Sequence, residues 1–349
     1  MLLFLGPMGC KNEVKELPAA TGNLSELLVI ADSSWQKGIP GELVKKYFGA
    51  PFPGIETDPS TPLFDLHFVT PADFLNTTDL RTQRNCLVLL PQESSANSQI
   101  FQALKYRLSP AQKKTLQDSN VVAAHNLWSD HQLALFVTAK DPADFANYWN
   151  RYLPVLFQEF KNNDAYLVTQ KIAAEESESK IENTIRQQLN INLPVPNGFE
   201  LVQEKDSILW LHRRLPMGGN CWILLRTMNS FSWPENDPQV KATFLSLLKN
   251  TLAPAALSLD GNLKISDQQI MNKQIEKKDL HFLSYGKWQA KTESIDQKGS
   301  FHGQLIQLNG YNKKSFLAAS FIQGTGEFQR EWMLTCELIF SKINASARP

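Results

Sequence analysis

The chain has 349 residues, with Lys+Arg and Asp+Glu balanced at 35 each. A net charge of zero argues against a dedicated nucleic-acid binder, which uses a basic field to displace counterions. With 42% hydrophobic and 20% charged residues, the chain has the apolar material for globular cores; its length favours two domains or two packed halves.

No apolar stretch reaches the roughly 18 residues of a transmembrane helix. Met1 to Gly9 carry no charge and are mostly apolar; they end at Cys10, after which Lys11, Asn12, Glu13, Lys15 and Glu16 turn the chain polar. An apolar start, small residues and then Cys is the layout of a bacterial lipoprotein signal. In such signals the Cys becomes the lipidated first residue, carrying an acyl chain such as palmitate. Pro7 and Met8 fit that pattern poorly, and the basic n-region is missing, so a start upstream of Met1 is expected. Residues 1–22 are read as signal and tether.

Next comes a strand at 24–31, with Leu27 to Ile30 as a continuous apolar run, then a helix at 39–48. Four prolines and two glycines make 49–63 a loop. Strands follow at 64–69 and 85–90. Thr70-Pro71, Ser109-Pro110, Asp141-Pro142 and Asp237-Pro238 each place a capping oxygen before a proline at the first helical position. Ser109 with Gln112 forms a capping box. Strands at 120–127 and 132–138 flank a turn at Trp128–His131.

A helical region spans 141–190, with a break expected near 154–165. Its charged part, 161–190, is expected to join an N-terminal half (23–160) to a C-terminal half (191–349). The Glu175, Glu176 and Glu178 cluster reads as a solvated helix face rather than a metal site. Strands at 199–204, 208–214 and 221–227, a helix at 238–251 and strands at 282–291, 300–308 and 314–322 follow. Asn309-Gly310 marks a hairpin. Phe328, Trp332, Cys336, Ile339 and Ile343 form the apolar stripe of a last helix. The predicted class is α+β, with mostly antiparallel sheets and helices packed on one face.

Four cysteines stand at 10, 86, 221 and 336. With Cys10 lipidated, the other three cannot all pair. Each sits in an apolar context, so they read as buried free thiols. None forms a CxxC pattern.

No GxSxG elbow, phosphate loop or HExxH helix occurs, and no catalytic set, metal site or cofactor is assigned. Gly324-Thr-Gly326 lacks the third glycine of a dinucleotide fingerprint. His125 and His131, with Asp130, flank one turn. Arg81 and Arg84 precede a buried strand; their planar forks suit an anion, a loop carbonyl or a structural Asp such as Asp65. Trp210 with His212, Arg213 and Arg214 makes an aromatic, basic strand, and Trp210 with His212 would form part of a ligand surface if both share one face. Arg81, Arg84, Trp128, His131, Trp210 and Arg213 are the ligand-binding candidates; the competing role is structural bonding for Arg81 and Arg84, a hydrogen-bonded or solvent-facing turn for His131, and half-buried packing for Trp128, Trp210 and Arg213.

Leu80 to Val88, Leu193 to Leu201 and Ile208 to Arg214, with the run from Gly286 through Gly324 to the closing helix, resemble an uncharacterised lipoprotein family of the Bacteroidota, a domain of unknown function. The similarity runs from about residue 20 to 343. It implies a lipid-anchored envelope protein, with the outer membrane favoured, and supplies no catalytic residues. The leading expectation is a non-catalytic body that binds an envelope protein or ligand and no nucleic acid. The alternative is an envelope hydrolase or carbohydrate-active enzyme whose site is assembled from distant loops.

Overall fold

The computed structural model describes residues 17–55, 57, 59–92, 109–118, 120–174, 179–205, 207–228, 237–252, 262–269, 280–291, 296–307 and 315–345. Cys10, the tether up to residue 16, Glu175, Glu176, Glu178 and the Asn309-Gly310 turn lie outside the described residues. The chain divides into two compact units, Met1–Phe48 with Phe64–Asn163, and Gly49–Leu63 with Asp164–Pro349.

In the first unit the continuous apolar runs become the centre of a five-stranded sheet. Strand β1 (Glu26–Ile30) pairs in parallel with β2 (Asp65–Val69) and β3 (Asn85–Pro91). Strand β3 pairs in parallel with β5 (Leu133–Ala139), and β4 (Val121–His125) closes the edge antiparallel to β5. The order is β2-β1-β3-β5-β4. Parallel neighbours need crossovers. Helices α1 (Ser33–Lys37) and α2 (Ile39–Phe48) lie between β1 and β2, and α3 (Pro71–Asn76) and α4 (Thr78–Arg81) lie between β2 and β3. Covering both faces buries every residue of β5. The edge strand β4 alternates instead, with Val122 and Ala124 buried and Ala123 and His125 exposed.

The capping chemistry expected at Thr70, Ser109 and Asp141 is present. Thr70 and Asp73 satisfy each other's backbone N–H groups at the start of α3. Ser109 and Gln112 do the same before α5 (Pro110–Asp118). Asp141 Oδ1 accepts from the N–H groups of Ala143 and Asp144, both at 2.8 Å.

Helix α6 (Pro142–Ala174) corrects the sequence reading, because it runs unbroken through Pro154. The proline removes one backbone hydrogen bond and crowds the preceding turn. Burial of Phe145, Trp149, Leu156, Phe160 and Val168 along the helix outweighs that cost. Pro154 itself is exposed. Pro154→Ala is therefore expected to stabilise the chain, by about 1–3 kcal/mol, as a higher urea midpoint. A lower midpoint would mean that the rest of the fold depends on the proline.

In the second unit the expected connection over 161–190 resolves into the end of α6 and a separate α7 (Ser179–Leu189). The latter buries Ile181, Ile185 and Leu189 in this unit's core. The proline-rich segment 49–63 joins the same core through Phe52 and Ile55. Between them Gly54 takes φ +78°, and a Cβ there would come within 2.8 Å of the Gly286 backbone.

The sheet of this unit is antiparallel throughout, in the order β10-β11-β12-β13-β9-β8-β7. Its strands are β7 (Glu200–Lys205), β8 (Ile208–Arg214), β9 (Asn220–Met228), β10 (Asn262–Gln269), β11 (Leu280–Lys291), β12 (Asp296–Gln307) and β13 (Ser315–Gln323). A two-stranded ribbon pairs β6 (Ile191–Asn192) with β14 (Asn344–Ala345). The α+β class holds, and the antiparallel expectation applies to this larger sheet.

Helices cover both faces of it, not one. Helices α7 and α9 (Gly326–Ser341) pack with Leu211, Cys221, Ile223 and Leu225. Helix α8 (Asp237–Leu252) brings Val240, Phe244 and Leu248 to Trp210, Leu224, Phe301 and Phe321 on the other face. The cause is visible in the strands: Leu209 to Leu211 and Ile223 to Leu225 are continuous apolar runs, which need cover on both sides.

Candidate functional site

The sequence candidates fall into both units. In the first, Arg81 Nη2 donates to Thr78 Oγ1 within α4 at 3.1 Å. Arg84, 6% exposed, donates from Nη2 to the loop carbonyl of Gly22 at 2.6 Å. Trp128 is buried with its ring edge-on to Phe74, centroids 4.9 Å apart, and its backbone N–H donates to Gln132 Oε1. Gln132 Nε2 in turn donates to the carbonyls of Arg81 and Gln83. These residues therefore stitch the turn 126–132 to the start of β3. His131 sits at φ +62° with Nε2 3.2 Å from Asp130 Oδ2, both exposed. An exposed pair of that kind contributes little.

In the second unit Trp210 and His212 do share one face of β8. Trp210 is 1% exposed and packs on Phe321. His212 stacks on Trp222 at 5.2 Å and shares a hydrogen bond with Asn220 Oδ1. Arg213 points to the opposite face, its guanidinium 4.9 Å from the Trp332 ring centre. The period of two separates Trp210 from Arg213, so they do not form one surface. Among the described residues no three His, Cys, Asp or Glu side chains are grouped to hold a metal ion.

A polar seam that the sequence reading missed lies under α9. His302 is fully buried between the Tyr285 ring, at 5.2 Å, and the Phe340 ring, stacked at 5.5 Å. The Tyr285 hydroxyl donates to Glu337 Oε2 at 2.7 Å. Burial, then the Glu337 carboxylate, push the Tyr285 phenol well above its ordinary range. Ser300 beside His302 bonds to Gln329 and to the Gly54 carbonyl. The available signal was Ser300, His302 and Gln304 at a spacing of two within an apolar strand. His302, Ser300 and Tyr285 are buried and Glu337 is half-buried, so the seam fastens α9 to the sheet.

Among the described residues a groove of about 800 Å³ opens in the second unit. Its apolar walls come from Ile172 on α6, Pro194 and Val195 after β6, and Leu338, Ile339 and Ile343 in and after α9. The polar groups around it mostly brace these walls. Glu182 Oε1 accepts from the Val195 N–H at 2.9 Å, and Asn192 Nδ2 donates to Asn344 Oδ1 at 3.0 Å across the β6–β14 ribbon. Arg186 Nε donates to Asn192 Oδ1. Lys342 is exposed at the groove's edge. Apolar walls with a few fixed polar groups are what a small-molecule site needs, and the volume lies within the usual range of roughly 300–1,000 Å³.

A domain of unknown function (DUF8532) matches residues 20–173. That span contains every strand of the first sheet. A search of curated proteins finds no match. Among solved structures, the human StarD13 (DLC2) lipid transfer and protein localization domain aligns with 8% identity over 47% of this chain and 94% of its own. Its TM-score of 0.17 carries no argument about fold or function.

Proposed function

We propose that this chain is a non-catalytic lipoprotein of the cell envelope, anchored through Cys10 in a membrane, the outer membrane in preference. Its body binds an apolar ligand in the groove between α6, α7 and α9. The observation that carries the binding reading is the groove itself, whose apolar walls are braced by the Glu182–Val195 and Asn192–Asn344 hydrogen bonds. The anchor reading rests on the apolar-to-polar switch at Cys10 and on the resemblance to a Bacteroidota lipoprotein family.

One set of cells and one purified protein test the two parts separately. Radiolabelled fatty acid fed to cells should enter the wild type and not Cys10→Ser; equal labelling of both removes the anchor. Purified Cys10→Ser chain should bind an environment-sensitive apolar dye. Ile172→Asp should weaken that binding at least about tenfold, roughly 1.4 kcal/mol, without a matching fall in melting temperature. Val202→Asp, at a residue 57% exposed on β7, should leave it unchanged. Equal binding by all three removes the groove as the site.

A further inference from the structure

Cys221 on β9 and Cys336 on α9 are 115 positions apart, and the fold brings their Sγ atoms to 3.8 Å. Both are free and fully buried. Cys221 lies on the face of β9 that meets α9, beside Ile223 and Leu225. Cys336 lies on the α9 stripe that holds Met333, Ile339 and Phe340. The two sulfurs therefore already face each other across the helix–sheet contact. Bringing them to covalent distance moves each by about 1 Å, within the play of side-chain torsions.

We propose that Cys221 and Cys336 are a cross-linking pair, which a small-molecule disulfide oxidises to an intramolecular disulfide tying α9 to β9. The chemistry is two exchanges. One cysteine thiolate attacks the oxidant's disulfide, forming a mixed disulfide and expelling one oxidant thiolate. The second cysteine thiolate attacks the protein sulfur of that mixed disulfide and expels the other oxidant thiolate. Two electrons pass to the oxidant, and the two cysteine protons leave with its two thiols.

The surroundings set when this happens. Neither sulfur is open to solvent, and burial followed by the Cys336 neighbour pushes the Cys221 thiol well above its ordinary range. The docked helix thus holds the thiol in its unreactive protonated form, and exchange belongs to the moment before α9 docks, or to its local opening. A chain that folds against a disulfide oxidant becomes linked; one that folds under reducing conditions keeps a shielded dithiol. Cys86, buried on β3 of the first unit, stays outside the pair.

The test refolds the full-length Cys10→Ser chain, which lacks the fourth thiol, from denaturant with oxidised glutathione, and in parallel with reduced glutathione. The oxidised sample should be lighter by about 2 Da, the two hydrogens removed, and digestion should give one peptide pair joining Cys221 to Cys336. Its melting temperature should exceed that of the reduced sample by on the order of 10 °C, given the long loop closed. Cys221→Ala and Cys336→Ala should each lose the shift, and Cys86→Ala should keep it. Glutathione adducts without the joined peptide, a link to Cys86 instead, or a linked form that melts lower would each overturn the proposal. If either alanine variant fails to fold, the joined peptide of the Cys10→Ser chain still decides.

Discussion

Above pH 9 the chain should lose stability steeply, because folding locks several weak acids in their neutral forms. Burial raises the Cys86 thiol from 9.0 to about 12. Below pH 9 the thiol is protonated in both states, and its contribution is constant. Between 9 and 12 the unfolded chain sheds a proton that the folded chain retains. Each pH unit in that window costs about 1.4 kcal/mol, so Cys86 alone removes roughly 3 kcal/mol by pH 11. Tyr148 in the same unit is raised in the same sense, by burial and then by Asp144. In the second unit burial raises Cys221 and Tyr285, with Cys336 and Glu337 adding to the effect. Both units should therefore weaken in alkali. Urea unfolding at pH 8 and at pH 10.5 measures the effect. Cys86→Ala should fall less between the two than the wild type does, whatever it costs at pH 8. Parallel losses would show that the Cys86 thiol ionises freely in the folded chain.

The strands were legible because burial writes itself as unbroken apolar runs. Leu27 to Ile30, Cys86 to Leu90 and Leu133 to Val137 were visible as strands in that way. A run says that both faces are covered; it does not say which strand lies alongside. Hence the parallel pairing of β1, β2, β3 and β5 could not be read from residues. The caps were legible because Thr70 before Pro71, and Ser109 with Gln112, act over three residues or fewer. Pro154 misled because a local rule met a long-range packing gain. The segment 49–63 looked like a plain loop since only Phe52 and Ile55 mark its attachment, and their partners lie far along the chain.

The groove was not legible at all. Its lining comes from four stretches between Thr169 and Asn344, and none carries a motif. The cysteine pair was hidden for a related reason, as spacing of 115 positions has no local signature. By contrast, the alternation rule did place Trp210 and His212 on one face. What it could not supply was depth. Helix α8 and the neighbouring strands close over Trp210, which leaves His212 and Trp222 half-buried beside it.

That depth makes Trp210→Ala the most damaging single substitution among the sequence candidates. The side chain is 1% exposed and packs with Leu224, Phe244, Phe301 and Phe321 between β8 and α8. Truncation loses the transfer energy of the indole and leaves a cavity that stiff strands refill poorly, at about 3–5 kcal/mol. Trp210→Phe should cost far less, on the order of 1 kcal/mol. The reason lies in the indole N–H, which finds no acceptor among the described residues. Deleting an unpaired buried donor removes a desolvation penalty and offsets part of the lost contact. The ordering therefore discriminates between roles. A ligand-facing tryptophan would tolerate alanine in the fold and lose its ligand with either change. A core tryptophan should lose several kcal/mol with alanine and little with phenylalanine. Urea midpoints of the two variants read this directly, and an alanine variant within about 1 kcal/mol of the wild type would move Trp210 out of the core and back to the surface.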